Sequence, residues 1–190
     1  MVRRKEISRG GWYVVGKPAS EYRAYRLQIE QTPERTFPHT LALYSVLVKF
    51  LMEAEVRRII PSEDTLWQDA IEFGNIPDAW IQFGGGEVFI EIDLGTEHTS
   101  VLKKKFENYV AFKESGRYEQ LFPGCKFRVL VFVSSEERIE ELQQVVATDD
   151  IWFCITEEFL KEDLSHEHWF NIKGFHALRV NRKKEVQKLR

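Results

Sequence analysis

The spacing of apolar residues changes along this chain, and each change predicts a different element. Residues 11–30 open with Trp12-Tyr13-Val14-Val15, an aromatic and β-branched run set between Gly10-Gly11 and Gly16. With a turn at Lys17-Pro18-Ala19-Ser20 and near-alternation over 22–29, the segment predicts a β-hairpin. A polar linker carrying Pro33 follows. From His39 the period lengthens: Leu43, Val46, Leu47, Phe50, Leu51 and Ala54 form one stripe of an amphipathic helix, with Pro38 in its first turn. Residues 56–60 are a β-branched strand ended by Pro61, and 64–73 predict a helical turn or two. Residues 78–83 and 87–94 then read as two short strands joined by Gly84-Gly85-Gly86, a loop whose glycines permit positive φ. No Gly-Lys-Ser/Thr follows, so it is not a phosphate-binding loop.

Helical spacing returns over 99–115, where Val101, Leu102, Phe106, Tyr109, Val110 and Phe112 are apolar or aromatic. The nearly all-apolar run 127–133 suits a strand covered on both faces. A helix over 136–147 and a strand over 151–156 follow, and Trp169 and Phe170 mark a further element packed on the core. Residues 183–190 can extend as a basic helix. The order predicts an α/β fold with a mixed central β-sheet flanked by helices: the strand–helix–strand half favours parallel pairing and the glycine-rich connection favours antiparallel pairing.

Composition supports a packed core. Apolar residues are 43% and charged residues 30% of 190, with fourteen Phe and five Trp supplying large buried area. No run approaches the roughly 18 uncharged apolar residues of a membrane span; the nearest, 41–52, is interrupted by Lys49. The basic N-terminus has no apolar stretch behind it, so a secretory signal is not expected. Cys125 and Cys154 read as reduced thiols of a cytoplasmic protein. The net charge of −3 is uneven: residues 1–9 carry +3 and 177–190 carry +5, leaving −11 on the body. Basic ends on an acidic body suit either two solvated tails, the commoner case for charged termini, or a protein that grips phosphates at its ends and holds a cation at its centre.

The candidate chemistry lies on the glycine-linked strand pair. Pro77-Asp78 opens one strand and Glu91-Ile92-Asp93 stands near the end of the next. Side chains alternate along a strand, so Glu91 and Asp93 share a face while Ile90, Ile92 and Leu94 turn into apolar packing. Counting outward from Gly85 brings Asp78 opposite this pair. Three converging carboxylates repel one another unless a cation or a shared proton joins them. Mg²⁺ or Mn²⁺ bound by Asp78, Glu91 and Asp93 is the expected cofactor, and metal-assisted phosphodiester hydrolysis is the chemistry this set suits.

Pro77-Asp78, the string Glu91-Ile92-Asp93-Leu94-Gly95-Thr96-Glu97, then Lys105 and Tyr109, with Pro38-His39-Thr40-Leu41 upstream, resembles the plasmid replication-relaxation family over about 37–156. That family usually carries a winged-helix DNA-binding domain ahead of this region. Residues 11–30 look like its wing hairpin without the helices. The element order and the Pro77-Asp78/Glu91 pattern are also similar to the PD-(D/E)xK nuclease superfamily, which implies an αβββαβ restriction-endonuclease-like core. In that pattern a lysine stands where this chain has Asp93. Some members carry the lysine on the neighbouring helix, which makes Lys105 the candidate to support the scissile phosphate.

The chain thus divides into a hairpin and linker (1–36), a nuclease-like core (37–160) and a C-terminal extension with a basic tail (161–190). The resemblance implies a Mg²⁺- or Mn²⁺-dependent DNA endonuclease of a plasmid or phage replication system, with Asp78, Glu91, Asp93 and Lys105 in the site. The alternative is a non-catalytic DNA- or protein-binding accessory factor that keeps the scaffold, because Asp93 replaces the lysine. DNA and plasmid replication proteins are the expected partners. A homodimer through the aromatic first or last segments, with Trp152, Trp169 and Phe170, is a further reading. His39 at the head of the first helix, His166 and His168, and a further carboxylate among Glu53, Glu55 and Glu63 are secondary candidates.

Overall fold

The computed structural model describes residues 6–7, 11–12, 27–28, 37–62, 74–84, 86–164 and 169–176. The chain divides into two compact units, Met1–Leu41 and Ala42–Arg190. In the first, β1 (Glu6–Ile7), β2 (Gly11–Trp12) and β3 (Leu27–Gln28) form an antiparallel sheet in that order. Gly11 pairs with Gln28 and Trp12 with Leu27. The rest of the expected hairpin lies outside the described residues.

The next elements in order are α1 (Phe37–Glu53), β4 (Val56–Pro61), β5 (Ala79–Phe83), β6 (Gly86–Asp93), α2 (Thr99–Glu114) and α3 (Arg117–Leu121). They are followed by β7 (Val129–Val133), α4 (Glu136–Gln143), β8 (Ile151–Ile155), α5 (Thr156–Lys161), β9 (Trp169–Asn171) and β10 (Gly174–His176). The seven strands β4–β10 form one mixed sheet, ordered β10-β9-β8-β7-β6-β5-β4. β6, β7 and β8 run parallel, joined by helical crossovers, and every other pair is antiparallel.

Each face of this sheet buries its own cluster. Phe89, Val131 and Phe153 project to one side, where Leu102, Phe106 and Tyr109 of α2 and Ile139 and Leu142 of α4 cover them. Ile90, Leu130 and Cys154 project to the other, against Val46, Leu47 and Phe50 of α1 and Phe159 of α5. β7 is buried at every position, as a central strand covered twice must be. Trp152 and Trp169, read from sequence as a dimer surface, belong to this core.

Several boundaries differ from the sequence expectation. α4 ends at Gln143 rather than at 147, where the β-branched pair Val145-Val146 turns the chain toward β8. α3 and α5 are unexpected short helices, each burying one aromatic ring, Tyr118 and Phe159. Residues 63–73, the tail 177–190, His166 and His168 lie outside the described residues.

The register of the β5–β6 hairpin matters most. Phe83 pairs with Gly86 and Ala79 with Ile90, a register half a step away from the one obtained by counting outward from Gly85. A one-residue change of register moves a side chain to the opposite face. Counting from Gly85 sets Asp78 level with Ile92, on the apolar side. The observed ladder, extended by one residue, sets Asp78 level with Glu91.

Candidate active site

Asp78 is held at the start of β5 by backbone on both sides of its position. Its N–H donates to the Ile90 carbonyl (3.1 Å) and its Oδ2 accepts from the Ile92 N–H (2.7 Å). The approach to it is tied to the middle of α2: Asn75 Nδ2 donates to the Lys105 carbonyl at 2.7 Å, and Asn108 Nδ2 reaches the Gly74 carbonyl at 3.4 Å. Gly74 takes φ +73°, and a Cβ there would stand 2.9 Å from Asn108 Nδ2. The chain turns in the left-handed region beside a helix, which only glycine does without strain.

Glu91 projects from the α2 face of β6 with its side chain 3% exposed. Two α2 side chains four residues apart, and so on one helix face, meet it. Lys105 Nζ donates to Oε2 and the Tyr109 hydroxyl donates to Oε1. Burial raises the Glu91 carboxyl, Lys105 pulls it back and the nearby charge of Asp78 raises it again, leaving it at about 7. Burial works against the Lys105 ammonium, but Glu91 and Asp78 outweigh it and hold its proton more tightly than usual. The Tyr109 phenol is driven well above its ordinary value, first by burial and then by the Glu91 charge, so it stays a donor. Lys103 and Lys104, its neighbours in the basic triplet, are exposed.

Asp93, two residues along the same face, has a different partner. Arg138 Nε donates to its Oδ2 at 2.6 Å, and the Gly95 N–H donates to Oδ1 at 2.9 Å. The guanidinium has other partners as well: Nη1 reaches Glu141 Oε2 (2.7 Å) and Thr99 Oγ1 (3.2 Å), and Nη2 donates to the Glu97 carbonyl (2.7 Å). This one side chain joins the end of β6, the loop after it, the first residue of α2 and α4. Its hydrogen bond to Asp93 raises the Arg138 pKa further. A cleft of about 440 Å³ opens beside it, lined by Thr96, His98, Thr99, Arg138 and Glu141 among others. It lies beyond the carboxyl end of a parallel strand, where open α/β sheets commonly take ligands.

The structure therefore brings Asp78, Glu91 and Lys105 together, but not the expected trio of acids. Among the described residues, no three His, Cys, Asp or Glu side chains form a group able to hold a metal ion. Repulsion between Glu91 and Asp93 is relieved by two separate protein cations. Glu53 is engaged elsewhere, by Lys49 (2.6 Å) and the Leu164 N–H (3.0 Å). Glu55 is exposed at the head of β4, His39 lies in the first turn of α1, and Glu63 is outside the described residues. Cys125 is no activated thiol, since burial and Glu87 push it up to about 11.

Sequence reading missed Arg138. One signal for it exists: Arg138 precedes Leu142 by four residues and Ile139 by one, which places it on the buried stripe of α4.

The sequence model of the replication-relaxation family matches residues 7–124, more than half of the chain. The match starts thirty residues earlier than the resemblance drawn from motifs, taking in β2, β3 and the last residue of β1, and it ends before β7. It contains Asp78, Glu91, Asp93, Lys105 and Tyr109 but not Arg138. Comparison with curated proteins and with solved structures yielded no match.

Proposed function

The chain belongs to the replication-relaxation family, which suggests a role in plasmid replication, and from that premise we propose that it is a divalent-metal-dependent DNA nuclease acting at Asp78, Glu91 and Lys105. The observation that carries this reading is the meeting of two carboxylates from adjacent strands with a lysine from the following helix, around a buried glutamate whose pKa is near 7. Perturbed acids of this kind concentrate at functional sites.

The donor set fits a hard cation. Mg²⁺ takes one or two carboxylates and completes its shell with water and phosphate oxygens, and Asp78 and Glu91 supply such a pair. Bound there, the cation would polarise the phosphodiester and activate water. Tyr109 fixes the Glu91 carboxylate in orientation, and Lys105 offers an ammonium for the phosphate. Asp93 has no direct part: it and Arg138 hold the β6–α2 connection in place. The reading of a restriction-endonuclease-like αβββαβ core is supported by the element order α1-β4-β5-β6-α2-β7, with α3 added before β7.

The test is cleavage of supercoiled, single-stranded and branched DNA with Mg²⁺ or Mn²⁺. Wild-type protein is expected to cut, and Asp78→Ala and Glu91→Ala to lose cutting while keeping the wild-type circular dichroism spectrum. Equal cutting by either variant would overturn the site.

A second reading is favoured by a specific observation. Both Glu91 oxygens and both Asp93 oxygens already have protein donors. A site satisfied in this way suits a scaffold that binds DNA or a replication protein without cutting. Folded wild-type protein that cuts no substrate and binds no cation would establish it.

A further inference from the structure

Glu91 is a buried carboxylate with a protein donor on each oxygen, so any cation that binds it competes with those donors. The two donors are not equivalent. Tyr109 is fully packed, its ring 5.5 Å from Phe89 and 6.2 Å from Phe127. Moving its hydroxyl means moving an aromatic cluster in the core, and close-packed interiors resist that. Lys105 is the opposite case: its side chain is 24% exposed, and the ammonium is a compact charge on a flexible four-carbon stem. It can leave by rotating about its own bonds.

We propose that Lys105 is an exchangeable counter-ion, holding Glu91 Oε2 until a divalent cation binds Asp78 and Glu91 and then releasing its ammonium to a substrate phosphate. The inference rests on the metal-binding reading above. A divalent cation at the same carboxylate repels the ammonium, and strongly so where water is scarce. Exchange also delivers the lysine when it is needed. Before binding, the ammonium cancels a buried charge; afterwards the same group is free, at the mouth of the site, to meet an anion. Asp93 and Arg138 show what a non-exchangeable pair looks like on the same strand face, with the guanidinium bound at three further oxygens besides its main contact, in the loop, α2 and α4.

The experiment is titration of Mn²⁺ into the full chain by calorimetry, in wild type, Lys105→Met and Asp78→Asn. A resident lysine that occupies the carboxylate nine-tenths of the time weakens the apparent affinity about tenfold. Titrated at a pH where Glu91 is ionised in both proteins, Lys105→Met is therefore expected to bind Mn²⁺ about tenfold more tightly than wild type, and Asp78→Asn more weakly. Tight binding that depends on Asp78 but is unchanged or weaker in Lys105→Met overturns the exchange and leaves the metal reading standing. No binding by wild type and by Lys105→Met overturns both. Because Lys105→Met removes a part-buried ion pair of the fold, a second measurement uses wild-type protein alone. With nitrogen-labelled lysine, the Lys105 ammonium resonance should move on addition of Mg²⁺ with the same midpoint as binding, and a resonance that stays fixed while Mg²⁺ binds overturns the proposal.

Discussion

Two ion pairs stand two residues apart on one face of β6, and they are built to behave differently. Glu91 meets a lysine that is a quarter exposed, and its own pKa is raised to about 7. Asp93 meets an arginine that is 9% exposed and hydrogen-bonded to the loop, α2 and α4 as well. The difference follows from the cations. A guanidinium presents five donors in a rigid fork and can satisfy several oxygens at once, whereas an ammonium is a mobile point charge. The first pair leaves a carboxylate able to change state, and the second fixes the walls around it.

The sharpest way to break this comparison is to remove each cation. Arg138→Met should cost about 3–5 kcal/mol, because Asp93 is left buried and uncompensated. Lys105→Met should cost only about 1–2 kcal/mol, since Glu91 can take a proton near neutral pH instead of staying charged. Urea unfolding at pH 7 reads both, and equal losses would show that the two pairs are not different in kind.

The pH dependence comes next in size. A carboxyl raised in the folded state binds its proton more tightly folded than unfolded, the reverse of an ordinary salt-bridged acid. Its contribution is therefore fully present below the unfolded value of about 4.5 and is lost as pH climbs through about 7. Across that window wild-type stability should fall by up to about 3 kcal/mol from Glu91 alone. Glu91→Gln should remove that slope; an unchanged slope in unfolding measured from pH 4 to pH 8 would mean that Glu91 titrates normally.

The smallest effect sharpens the picture rather than breaking it. Tyr109→Phe deletes the donor at Oε1 and should cost about 1 kcal/mol. That hydrogen bond lowers the Glu91 pKa, so its loss should move the carboxyl above 7. Carbon-detected titration of the glutamate side chain measures the shift, and a downward movement would contradict the assigned donor.

Much of this protein is determined by sequence alone. The i, i+3, i+4 stripe of α1, the apolar run of β7 and the alternation along β6 each impose their element, because burial of one face or two leaves few other patterns. The same alternation puts Glu91 and Asp93 on one face, and the spacing of Lys105 and Tyr109 puts both on one side of α2. The short helices α3 and α5 escape, since a single buried ring carries too little periodic signal. Tertiary structure alone decided the rest. The β5–β6 register, one half-step from the obvious count, puts Asp78 on the side of Glu91 and not of Ile92. The parallel crossover brings α4 beside β6, so an arginine 45 residues away in sequence becomes the partner of Asp93. Side-chain identity and period fix what a segment is. Which charges meet depends on register and crossover, and those are settled only when all the faces are buried together.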